Sequence, residues 1–137
     1  MRVCLDTNVL VAAFTTRGLC ADVFRVVAAE HDLVVGQVML EEMERALRTK
    51  FGMAKERIEE AVSLLNRFDV IPKPDAPSSI PMRDPADRWI VATAIAGSAA
   101  VLVTGDRDLI AIHDAAAPMS ILTPREFWDQ LRADPEA

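Results

Sequence analysis

Only two cysteines, Cys4 and Cys20, occur in the 137 residues, and they show no CxxC spacing. Both sit among apolar neighbours, so a disulfide framework or a thiolate metal site gives way to reduced packing residues. Histidine is equally scarce: His31 and His113 stand far apart and form neither an HxxxH nor an HExxH pair. Convergent imidazoles of the kind that hold zinc are therefore missing, and both residues are expected at helix ends or on the surface. No apolar run approaches the roughly 20 residues that a membrane-spanning helix needs. The chain enters a strand-like run after one arginine, without the layout of a secretory leader, so a cytoplasmic location with no membrane partner is the default expectation. P-loop and GxGxxG patterns, internal repeats and low-complexity tracts are also absent.

Positive charge is in short supply. Lysine and arginine total 15 against 21 acidic residues, a net charge of −6. That balance argues against a protein that coats nucleic acid by broad electrostatic attraction. It leaves room for an enzyme that takes a phosphodiester through a metal and a few local basic residues. Arg45, Arg48, Lys50, Lys55 and Arg57 fall within one helical hairpin, and read either as such a local set or as a solvated helix face.

What is present suits one α/β domain. The chain is 51% hydrophobic, enough for a core, and its 26% charged content is ordinary for a soluble protein. Short apolar, β-rich runs at 2–5, 33–35, 70–71, 101–103 and 120–122 alternate with helical patterns at 8–14, 21–30, 38–49, 55–68, 87–96 and 124–131. Continuous apolar strands separated by helices predict a mostly parallel sheet covered on both faces. The segment 72–81 holds four of the eight prolines and reads as an extended loop. The domain is placed at 1–133, with 134–137 as a flexible tail.

Four acids fall where an apolar run ends or a helix begins: Asp6, Glu42, Asp87 and Asp106. Carboxylates brought together and buried repel one another, and a divalent cation among them relieves that cost. In a parallel sheet Asp6 and Asp106 would both project beyond the carboxyl ends of strands, where ligands bind. Asp6 can equally cap the helix that follows it. The stripe Met39, Leu40, Met43, Ala46, Leu47 leaves Glu42 and Glu44 on opposite shoulders, and periodicity does not choose between them. Asp84 serves as a helix cap before Pro85. Asp87 shares the face of Ile90, Val91 and Ala94, so a carboxylate is due to be buried there. Asp106 reads either as a site residue or, with Asp108, as part of a turn and cap.

These segments together resemble the PIN-domain family of metal-dependent ribonucleases, and in particular its small VapC-like toxins of toxin–antitoxin pairs. The likeness rests on Leu5-Asp6-Thr7-Asn8-Val9-Leu10-Val11, Glu42-Met43-Glu44-Arg45-Ala46-Leu47, Asp84-Pro85-Ala86-Asp87-Arg88-Trp89-Ile90 and Val103-Thr104-Gly105-Asp106-Arg107-Asp108-Leu109. It implies an α/β/α three-layer sandwich with a central, mostly parallel sheet of about five strands. It also implies that Asp6, Glu42, Asp87 and Asp106 form the acidic quartet, selecting Glu42 over Glu44. Asp108 would share or replace the role of Asp106, and Thr7, Asn8 and Thr104 would orient ligands or water. Many relatives carry Ser or Thr after the second strand, where this chain has Gly36.

The activity so implied is endoribonucleolytic hydrolysis with Mg²⁺ or Mn²⁺, leaving a 3′-hydroxyl and a 5′-phosphate. Asp6, Asp87 and Asp106 would hold one or two ions, with Glu42 binding directly or through water, and Arg88 or Arg107 would hold the RNA backbone. A cognate antitoxin and a second copy of the chain are the expected partners, with Met39, Met43, Phe51 and Met53 as apolar material for an interface or as core. Two other functions remain open: a PIN-like module that binds RNA or protein without cutting, and an RNA maturation nuclease with no toxin role.

Overall fold

The computed structural model describes residues 1–133; the tail expected at 134–137 lies outside the described residues. Five strands, β1 (Arg2–Leu5), β2 (Asp32–Gly36), β3 (Asp69–Ile71), β4 (Val101–Val103) and β5 (Ser120–Leu122), alternate with seven helices. The helices are α1 (Thr7–Thr15), α2 (Leu19–Glu30), α3 (Gln37–Thr49), α4 (Lys55–Leu65), α5 (Pro85–Ala96), α6 (Arg107–Ala111) and α7 (Pro124–Ala133). All strand pairs are parallel, in the order β3-β2-β1-β4-β5. The sheet is the middle layer of an α/β/α sandwich.

That order explains why the strands read as unbroken apolar runs. Val3–Leu5, Leu33–Val35 and Val101–Val103 are all buried because helices cover both faces of the inner strands. From β1 the chain winds outward through β2 to β3, then returns to the other side of β1 for β4 and β5. The direction of winding thus reverses between β1 and β4. Crossovers leaving in opposite directions open a crevice outside the carboxyl ends of those two strands.

The helices follow the expected pattern with instructive shifts. On α3, Met39, Leu40, Met43 and Leu47 are buried and Ala46 is half-buried, whereas Glu41 and Glu44 are exposed. Met39 and Met43 are completely enclosed, so of the four residues considered for an interface they belong to the core; Phe51 is 53% exposed. Gly52, at φ +56°, ends this helix with the Met53 amide returning to the Leu47 carbonyl, a left-handed position that suits glycine. Helix α4 ends at Leu65, short of the expected Phe68. Arg67 and Phe68 bond back only three residues, tightening into a turn that lets Asp69 begin β3.

Helix α5 starts two residues early, at Pro85, because Asp84 caps it through the Ala86 amide at 2.9 Å. Helix α6 was not among the expected helices; five residues are too few to show a helical period. Cys4 is buried in β1 and Cys20 is half-buried, both as free thiols. His31 caps the end of α2 and His113 is exposed, as expected. Arg45, Arg48, Lys50, Lys55 and Arg57 are all exposed, in keeping with a solvated face. Among the described residues, no helix is long and apolar enough to cross a membrane.

Candidate metal centre

The crevice beyond β1 and β4 is where the acids gather. The Asp6 amide donates to the Val103 carbonyl at 2.9 Å, carrying the strand pairing one residue past β1. Its side chain, 5% exposed, then turns back to cap α1. Oδ1 accepts the Thr7 amide at 2.7 Å and Oδ2 accepts the Thr104 hydroxyl at 2.6 Å. Capping and site placement are therefore one arrangement, not rival explanations.

Thr104, fully buried, also accepts the Asp106 amide on its Oγ1 at 3.0 Å. One hydroxyl thus links the end of β1 to the turn that carries Asp106. Thr7 does the same toward α3, donating through Oγ1 to Glu42 Oε2 at 2.8 Å. That bond turns Glu42 inward while Glu44 stays in solvent, a choice that depends on a contact between α1 and α3. Asn8 is exposed, and no described hydrogen bond joins it to an acid.

Asp87 lies in the first turn of α5 and is 9% exposed, on the buried face that its spacing predicts. Asp106 caps α6, its Oδ1 accepting the Asp108 amide at 2.9 Å. This short turn brings Asp108 round beside Asp106. One carboxylate oxygen from each of Asp87, Asp106 and Asp108 lies within 4.8 Å of the others. Asp6 lies near enough for its charge to act on Asp87 and for that of Asp106 to act on it, and Glu42 acts on Asp6 in turn; neither belongs to the trio. Asp108, expected behind Asp106, is a full member, and the cue in the sequence is an acid two positions after a helix cap.

The electrostatics follow from the crowding. Burial pushes the Asp6 carboxyl up, the bonds from Thr104 and Thr7 oppose that, and the charges of Glu42 and Asp106 push it further. Asp87 is pushed up to about 6, first by burial and then by Asp106, Asp84, Asp6 and Asp108. Every neighbouring charge in that account is negative. No ion pair among the described residues involves Asp6, Glu42, Asp87, Asp106 or Asp108. An all-oxygen donor set with uncompensated charge fits a hard divalent cation. Zinc would call for the nitrogen or sulfur ligands missing here.

Two other expectations take a different form. Arg88 is half-buried and its Nε donates to the Ser78 carbonyl at 2.6 Å, so that nitrogen is engaged within the chain. Arg107 is exposed beside Asp106. A Cβ on Gly36 would lie 2.4 Å from Met39 Sδ and 2.5 Å from Thr93 Cγ2. A side chain at position 36 would therefore require the Met39 and Thr93 side chains to shift, and glycine fits this close approach of α3 and α5 without that adjustment.

The family model for the PIN domain matches residues 2–108, a span that contains every one of these acids. The chain belongs to the PIN domain family. Solved structures agree on the fold. VapBC2 from Rickettsia felis bound to a DNA fragment is 20% identical over 89% of this chain and 97% of that one, with a TM-score of 0.60. FitAB bound to a DNA fragment is also 20% identical, covering 89% and 94%, at 0.66. FitAcB from Neisseria gonorrhoeae is 17% identical, covering 90% and 98%, at 0.60. No curated protein matches the chain. Within this PIN domain, the match ends at Asp108, the last of the clustered carboxylates.

Proposed function

We propose that this PIN domain is a Mg²⁺- or Mn²⁺-dependent endoribonuclease and the toxin of a toxin–antitoxin pair. The observation that carries the reading is the convergence of Asp87, Asp106 and Asp108 within 4.8 Å beside the buried Asp6. Asp87, Asp106 and Asp108 would hold the cation, with Asp6 and Glu42 completing the acidic wall. When bound, a divalent ion lowers the pKa of a coordinated water and neutralises charge developing on a phosphodiester.

The chain supplies the rest. Thr104 keeps Asp6 and the Asp106 turn in fixed relation, and Thr7 keeps Glu42 aimed at the same crevice. Glu42 spends one oxygen on Thr7 and retains the other for a water or a ligand. Asp106 spends one on the Asp108 amide in the same way. Arg107, exposed next to the trio, is the arginine left free to meet an RNA backbone.

The similar structures VapBC2 and FitAB are two-component assemblies, which supports a partner chain here. Phe14, Met53, Arg57, Glu60, Ala61 and Leu64 line a groove beside α1 and α4, and Phe51 borders it. Its apolar residues, flanked by Arg57 and Glu60, suit an amphipathic helix of an antitoxin; a second copy of the chain is the other partner proposed.

The test is cleavage of RNA by purified protein in Mg²⁺, Mn²⁺ and EDTA. Cleavage that needs either ion and stops in EDTA is the expected result. Undiminished cleavage in EDTA would reject the metal mechanism. Growth arrest on expression, relieved by the product of an adjacent small gene, separates a toxin from a maturation nuclease.

A further inference from the structure

Asp87 differs from its neighbours in how it is held. Asp6 accepts from Thr104 and Thr7, Glu42 accepts from Thr7, and Asp106 accepts from the Asp108 amide. No described residue donates a hydrogen bond to the Asp87 carboxylate, so its place is set by the backbone of the first turn of α5. Asp84 fixes one end of that turn as its cap.

Arg88 fixes the other. Its Nε donates to the Ser78 carbonyl at 2.6 Å, and the Ser78 amide donates to the Arg88 carbonyl at 2.9 Å. Both backbone groups of Ser78 are therefore gripped by one residue. Ser78 sits in the stretch between β3 and α5, which has no helix or strand and contains Pro72, Pro74, Pro77 and Pro81. Prolines leave such a segment few donors with which to anchor itself. Lys73 Nζ, 4.4 Å from the centre of the Trp89 ring, adds a second attachment, and Ile80 and Met82 pack against the core. The segment is strapped along the start of α5, with Arg88 as the fastening.

We propose that Arg88 is a positioning residue: by tying Ser78 to the first turn of α5, it holds Asp87 in place with Asp106 and Asp108 for a divalent cation. This rests on the metal-dependent reading above and gives Arg88 a task other than gripping RNA. The sign of the effect separates the alternatives. Deleting a positive charge beside a cation site strengthens cation binding by Coulomb's law. Loosening a ligand weakens it, and loss of a group that orients a metal ligand costs about 10–100-fold in affinity.

The experiment is calorimetric titration of the full chain with Mn²⁺, alongside Arg88→Met and Arg88→Lys, with amide exchange followed at Ser78. Arg88→Met is expected to weaken Mn²⁺ binding about tenfold and to expose the Ser78 amide to exchange. Arg88→Lys, which keeps the charge and a donor without the fixed Nε geometry, should fall between. It also serves if the methionine variant does not fold. Mn²⁺ binding that is unchanged or tighter in a folded Arg88→Met protein overturns the proposal. Failure of the unaltered protein to bind Mn²⁺ would instead bring down the metal reading and this inference with it. Weakened Mn²⁺ binding in a protein that cuts no RNA supports the positioning role and removes only the nuclease.

Discussion

The two ends of β1 manage charge in opposite ways. At the amino end, Arg2 donates through Nε to the Gly97 carbonyl at 2.8 Å and pairs with Asp69 at 2.7 Å. The guanidinium is satisfied by the chain itself. At the carboxyl end, Asp6 adjoins Glu42 and the Asp87–Asp106–Asp108 trio, and the described charges acting on it are negative. One strand therefore joins a closed electrostatic account to an open one. The open end is the place where an external cation has something to do.

The sharpest way to break that contrast is Asp6→Asn. The amide keeps the shape: its carbonyl oxygen can still accept the Thr7 amide and its NH2 can donate to the Thr104 hydroxyl oxygen, so circular dichroism should show an intact fold. RNA cleavage should drop by roughly 10³-fold or more, since a lost metal-site charge removes several kcal/mol of transition-state stabilisation. Full activity in this variant would take Asp6 out of the site.

A smaller effect concerns Asp87 and pH. Its carboxyl is raised to about 6 in the folded chain, above the value near 3.9 of an unfolded aspartate. The metal-free fold thus binds the proton more tightly than the unfolded chain does. Its stabilising contribution is complete below about pH 4 and is lost as pH rises through about 6. Asp87→Asn should therefore stabilise the metal-free protein at pH 8 by on the order of 1 kcal/mol, after discounting for solvent screening. The gain should vanish below about pH 4, as urea unfolding at both pH values would show. Mn²⁺ competes with the same proton, so its affinity should climb with pH and level off above about 6. A flat Mn²⁺ profile between pH 5 and 7 would count against Asp87 as a ligand.

The smallest effect belongs to the closed end. Arg2→Met should cost about 0–1 kcal/mol in thermal unfolding, because the pair with Asp69 is partly exposed. Mn²⁺ affinity should not change. A large shift in affinity would mean that the two ends of the strand are coupled.

Much of this was legible in the residues. The bounds of β1, β4 and β5 follow directly from apolar runs ended by Asp6, Thr104 and Thr123, and Asp87 follows from helical spacing. What periodicity could not supply was tertiary. Glu42 and Glu44 are equivalent shoulders of an isolated helix, and only the Thr7 hydroxyl, arriving from α1, distinguishes them in the structure. Asp108 joins the trio because a cap bends the chain over two residues, a geometry with no hydrophobic signature. Arg88 beside an acid suggested a phosphate grip; that its Nε also bonds Ser78, in a proline-rich stretch, is a contact no pattern encodes.

The position of β1 in the sheet also sets an order of events. It precedes the other four strands in the chain and is the middle strand of the sheet, and Val3 pairs with Val101, far along the sequence. The Thr104 hydroxyl that steadies Asp6 is 98 positions downstream. Contacts so distant along the chain form late, after the intervening segments have emerged and found their places. A half-made polypeptide carries Asp6 and Glu42 without Asp87, Asp106 and Asp108, so the acidic cluster comes into being only when nearly all of the domain is present.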